Sequence, residues 1–88
     1  MRVETDALIS PGEHLREEIG ARGITQKELA HLMGRPPQVV SEICRGKREI
    51  TAEIALDLER ALETPAHIWM NLESQYQLRL ARKRRSVS

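Results

Sequence analysis

Eighty-eight residues leave room for one domain, and 31% charged against 40% hydrophobic residues is the balance of an ordinary water-soluble globule. No apolar run approaches the ~20 residues of a membrane span, and the stretch from Met1 to Asp6 lacks the apolar segment of a secretory leader. The single Cys44 excludes an intramolecular disulfide and any multi-cysteine metal cluster, so a reducing cytoplasm is the expected setting.

The net charge of +1 hides a division along the chain. Arg79, Arg82, Lys83, Arg84 and Arg85 fall in the last ten residues, whereas residues 1–78 hold nine Lys and Arg against thirteen Asp and Glu, a net −4. Affinity for an acidic polymer must therefore come from local basic clusters. Phe is absent and Trp69 and Tyr76 are the aromatics, so the core falls to Leu, Ile, Val, Ala and Met. That set favours helices over a β-sandwich. A domain this small buries only about 60% of its unfolded surface, which makes dimerisation a natural second source of stability.

Residues 1–9 read as a short arm, with Leu8 and Ile9 placed to tuck against the core. Ser10-Pro11-Gly12-Glu13 opens a first helix, near 11–22, with a cap, a proline at the first helical position and a matching glutamate. Leu15 and Ile19 share its inner face, and Gly23 ends it. Thr25-Gln26-Lys27-Glu28 repeats the capping box for a second helix, 26–33, which carries Leu29, Ala30 and Met33 inward and stops at Gly34. Pro36-Pro37 opens a third, 37–45, with Val40, Ile43 and Cys44 inward and Gly46 beyond its end. Thr51 caps a fourth, 52–62, whose apolar stripe is Ile54, Ala55, Leu58, Ala61 and Leu62. Thr64-Pro65 starts a fifth, 65–80, with Ile68, Trp69, Leu72 and Tyr76 on one face. The fold class is all-α. The domain spans 10–80, and 81–88 reads as a basic, disordered tail.

Spacing within 26–45 carries the functional signal. Ala30, Gly34, Val40 and Ile43 stand at places five, nine, fifteen and eighteen of a twenty-residue unit starting at Gln26. Two short helices meeting at about 90–120° need a small residue where they touch, and Ala30 is one. The sharp turn between them needs a residue at ease with positive φ, and Gly34 meets that need. Val40 and Ile43 then plug the second helix of the pair into the core, which leaves Gln38, Val39, Ser41, Glu42 and Arg45 facing outward.

This unit resembles the helix-turn-helix of the Cro/phage-repressor superfamily. Reading outward narrows the resemblance. Ser10-Pro11-Gly12-Glu13, Ser41-Glu42-Ile43 with Gly46-Lys47-Arg48, Ile50-Thr51-Ala52, and Trp69-Met70-Asn71-Leu72 with Tyr76 are together similar to the HigA-type antitoxin family, over roughly 10–80. The resemblance implies a five-helix repressor-like fold, a homodimer, operator binding upstream of its own operon, and a partner toxin of the HigB type, a ribosome-dependent mRNA endonuclease. Two positions depart from the pattern. Arg35 follows the turn glycine where Val or Leu is usual, and Pro37 stands where repressors often place Gln. The stem of Arg35 can cover apolar surface while its head reaches a phosphate.

DNA reading also follows from the residues themselves. An α-helix fits the major groove and its N-terminal residues approach the base edges. Gln38 suits adenine, Glu42 can accept from cytosine N4, orient Arg45 or simply face water, and Val39 can touch a thymine methyl. Pro37 and Ser41 complete this surface, Ser41 as a small residue that permits close approach. Gln26 is placed to bond a phosphate at a helix start, and Arg45, Lys47 and Arg48 to neutralise phosphates around the end of the third helix. Ile68, Trp69, Leu72 and Tyr76 divide between core and dimer interface. His14, His31 and His67 have no ligand spacing among themselves or with Cys44, so neither metal nor cofactor is expected. No nucleophile–base pair stands out, and the chain does not read as an enzyme.

Three functions stay open on these residues: an autorepressor paired with a toxin, a free-standing repressor without one, and a protein-only toxin inhibitor that keeps a vestigial helix-turn-helix. Binding to upstream DNA separates the third from the others, and the neighbouring gene separates the first two.

Overall fold

A computed structural model describes residues 9–86. They form five α-helices and no strand: α1 (Pro11–Arg22), α2 (Gln26–Met33), α3 (Pro37–Cys44), α4 (Ala52–Leu62) and α5 (Ala66–Ser86). Leu8 lies outside the described residues, and Ile9 is exposed rather than tucked in.

The helix starts are set locally. Ser10 Oγ accepts from the Glu13 N–H at 3.3 Å, and the Glu13 carboxylate accepts from the Ser10 N–H at 3.2 Å. Thr25 and Glu28 make the same reciprocal pair at 3.0 and 2.8 Å. Each box satisfies two backbone donors that the helix itself cannot. Thr51 caps α4 alone, accepting from Ile54 N–H. The first turn of α3 has no side-chain cap. Pro36 and Pro37 supply no N–H, so fewer donors there need one.

The end of α2 makes the turn. Gly34 sits at φ 71°, its N–H reaches His31 O at 3.1 Å, and the Arg35 N–H reaches Ala30 O at 2.9 Å. This crossed pair of bonds requires a left-handed residue, which glycine adopts without a Cβ clash. Gly46, at φ 73°, repeats it after α3, with Lys47 N–H on Glu42 O at 2.8 Å.

One core joins all five helices: Leu15 and Ile19 from α1, Leu29, Ala30 and Met33 from α2, Val40, Ile43 and Cys44 from α3, the α4 stripe, Ile50 before it, and Trp69 from α5. Ala30 is fully buried, as a helix crossing demands. Gly12 is the second close approach. A methyl group there would overlap the Ile43 carbonyl oxygen and lie 3.0 Å from Cys44 Cα, so α1 rests directly on the backbone of α3. Burial pushes the Cys44 thiol pKa up, with Arg16 pulling weakly the other way.

Three further expectations change. Trp69 is core, at 2% exposure, so it has no surface to give a partner, whereas its neighbour Ile68 is 40% exposed. α3 ends at Cys44, with Arg45 as its cap residue. And α5 continues through residues 81–86, expected as tail. Leu78 to Arg85 are nearly all strong helix formers, and cations in a last turn complement the helix dipole. α5 is therefore about 31 Å long at 1.5 Å per residue.

Candidate nucleic-acid interface

α3 presents its outer face because Val40, Ile43 and Cys44 anchor the inner one. Gln38 is exposed near its N-terminus, beside exposed Pro37, and half-buried Ser41 and Glu42 follow one turn on. Val39 is half-buried and packs partly against the core, so only part of its side chain faces out.

A three-residue network crosses this face. Gln38 Nε2 donates to Glu42 Oε2 at 3.0 Å, while Arg48 donates to the other carboxylate oxygen, through Nε at 2.8 Å and Nη2 at 2.6 Å. These bonds, Gln38 first and Arg48 second, hold the Glu42 carboxyl below the usual carboxylate range. The expectation that Glu42 would orient Arg45 is replaced by Arg48. Arg45 and Lys47 are exposed and make no side-chain hydrogen bond or ion pair among the described residues, so two cations flank the end of α3 uncommitted. Gln26, half-buried, is the first residue of α2.

Arg35 lies elsewhere. Its Nε is 2.6 Å from Asp57 Oδ2 on α4, and Asp57 Oδ1 also faces Arg60 Nη1 at 3.5 Å. Arg60 Nη2 in turn donates to the Met33 carbonyl at the end of α2, at 3.0 Å. The turn is thus bolted to α4 from both sides. The Arg35 Nε is committed within the protein, while the side chain as a whole stays 36% exposed.

Sequence reasoning missed these ties to α4, and it missed another at α5. Glu73 of α5, only 7% exposed, accepts from the Ile50 N–H at 2.9 Å and from Gln77 Nε2 at 2.7 Å. It fixes the loop that carries Lys47 and Arg48. The signal was an acid one helical turn after Trp69, on the face that packs inward; a carboxylate there needs partners of its own. Leu72 and Tyr76 on the same helix are half-buried.

Two short helices joined by a glycine turn, the second with an open polar face and unpaired cations beside it, define a helix-turn-helix protein of the repressor type. The helix-turn-helix family matches residues 15–69. Virulence-associated protein I of Dichelobacter nodosus is 39% identical over 74 residues, which is 83% of this chain and 68% of that protein. Antitoxin HigA-1 of Vibrio cholerae is 35% identical over 74 residues, covering 83% and 70%. Among solved structures, Pseudomonas aeruginosa antitoxin HigA with the higBA promoter superposes with a TM-score of 0.81 at 38% identity, over 85% of this chain and 83% of that one. This chain belongs to the HigA-type antitoxin family.

Proposed function

We propose that this protein is a sequence-specific repressor that binds operator DNA as a homodimer, controls its own operon, and is the antitoxin of a HigB-type mRNA endonuclease. The observation that carries this reading is the outer face of α3, which presents exposed Gln38 and half-buried Ser41 and Glu42 on a turn tied to α4 by Arg35 and Arg60. The Pseudomonas aeruginosa HigA structure with promoter DNA supports it, since the present chain is similar to that protein over most of its length.

In this reading α3 enters the major groove. Gln38 bonds adenine, the outward part of Val39 meets a thymine methyl, and Pro37 and Ser41 shape the contact. Gln26, Arg35, Arg45, Lys47 and Arg48 take phosphates, Arg35 and Arg48 through the guanidinium nitrogens that their ion pairs leave free. Two copies present two such helices to half-sites about 34 Å apart, or a multiple of that. Ile68, Leu72 and Tyr76 on α5 are the surface for the second copy. No chemical step is assigned to any residue, and an operator-binding protein works in the cytoplasm. Among the described residues no helix is long and apolar enough to cross a membrane.

The test is a gel shift on DNA upstream of the gene, together with co-expression beside the neighbouring gene. The reading expects a shifted band that random duplex does not compete away, and rescue of growth from the neighbouring product. Growth rescue without a shift points to a protein-only inhibitor. A shift without rescue points to a free-standing repressor.

A further inference from the structure

We infer that Glu42 is a positioning residue for base recognition: its carboxylate turns the Gln38 amide so that one N–H and the carbonyl oxygen face outward together. The inference rests on the reading of α3 as the base-reading helix, and deepens it.

The two ends of a glutamine amide have nearly the same shape and opposite hydrogen-bonding character. Facing Glu42, the amide oxygen would bring two acceptors together. The NH2 end is therefore the one that lies 3.0 Å from Glu42 Oε2. That bond uses one of two N–H groups and leaves the other, with Oε1, free on the exposed side of the helix. One donor beside one acceptor is the combination that an adenine edge takes, through N7 and the N6 amino group.

The carboxylate is itself held. Arg48 engages its second oxygen through two nitrogens, and the turn at Gly46 fixes where Arg48 starts, with Lys47 N–H on Glu42 O. Arg48 also offsets a negative charge that would otherwise face phosphates. With one oxygen on Gln38 and the other on Arg48, Glu42 serves the amide rather than a cytosine. A chain of three residues, Arg48 to Glu42 to Gln38, thus decides which end of the amide the DNA meets.

The experiment selects bound sequences from a randomised duplex pool with the wild-type protein and with Gln38→Ala, Glu42→Ala, Glu42→Gln and the double alanine variant. Wild type is expected to prefer adenine at one position of each half-site by about 5- to 140-fold. Glu42→Ala and Glu42→Gln should relax that same position, as Gln38→Ala does, with the double variant no worse and other positions unchanged. Affinity for random DNA no lower than that of wild type, and a single cooperative melting transition, certify that the variants are folded. Relaxation at a different position, a cytosine above all, would overturn the inference and make Glu42 a base reader. So would an intact adenine preference in Glu42→Ala. A Gln38→Ala profile identical to wild type, or a wild type that enriches nothing, removes the base-reading assignment of α3 and the inference with it.

Discussion

Gly12→Ala should destabilise this protein, although alanine is the better helix former by about 1 kcal/mol. The added methyl would overlap the Ile43 carbonyl oxygen and sit 2.9 Å from the Ile43 carbonyl carbon and 3.0 Å from Cys44 Cα. Both carbon contacts are roughly 0.5–1 Å inside the optimum of about 3.5–4.0 Å. All three neighbours are backbone, so no side chain can swing aside, and α1 must lift from α3. Overpacking costs about 1–3 kcal/mol, and overlap with fixed backbone places this site at the upper end. Set against the alanine gain of about 0.4–1 kcal/mol, the net loss is about 2 kcal/mol. In a domain of this size that lowers the melting temperature by about 8–16 °C. Gly20→Ala is the internal control. It lies in the same helix with nothing within 4 Å of a new methyl, and should raise the melting temperature by about 2–8 °C. Thermal unfolding followed by far-ultraviolet circular dichroism measures both. A Gly12→Ala protein that melts at or above wild type would refute the close helix contact, because alanine would then have acted through propensity alone.

Ala30→Leu should cost about 1–3 kcal/mol in the same assay, because Ala30 is fully buried where α2 enters the core; an unchanged melting point would move the crossing elsewhere. If the proposed dimer places Lys47 and Arg45 each on a phosphate in both copies, Lys47→Ala and Arg45→Ala should each reduce the magnitude of the salt slope of log operator affinity by about 1.8, while preserving sequence preference. An unchanged slope in both would leave these cations as solvent-facing bystanders. The Glu42 carboxyl, followed by NMR titration, should rise toward its ordinary pKa in Gln38→Ala and in Arg48→Ala, and more in the former. Because its folded value lies below the unfolded one, Glu42 favours the folded state at neutral pH and withdraws that contribution as pH falls through the folded value. Titration curves that coincide in all three proteins would contradict the network.

The helix boundaries were legible because they are written in adjacent residues. Ser10 with Glu13, Thr25 with Glu28, Thr51, Gly34 and Gly46 each act within a few positions of the chain. So did the inward set of α2 and α3, which follows from period alone. What stayed hidden depends on partners distant in sequence. Nothing near Arg35 announces Asp57, 22 residues away, and Ile50 meets Glu73 across 23. Helical period put Ile68 and Trp69 on one stripe, yet it could not say which of two adjacent residues the rest of the protein would cover. The end of α5 was misread for a different reason. The four cations of 81–88 looked like a solvated tail, but charge does not forbid a helix, and at a C-terminus positive charge favours one.

The double bolt of Arg35 and Arg60 onto Asp57 and Met33 bears on how fast this protein finds its target. A recognition helix whose pose is inherited from α4 needs no folding or hinge closure on arrival, so little ordering entropy opposes association. Encounter is then governed by diffusion and, on the proposed assignment of Arg45 and Lys47 to phosphates, by an attraction that weakens as salt rises. Differences between correct and incorrect sites must appear in how long the complex lasts, because both are met by the same preformed surface. A repressor built this way samples many sites briefly and dwells on few.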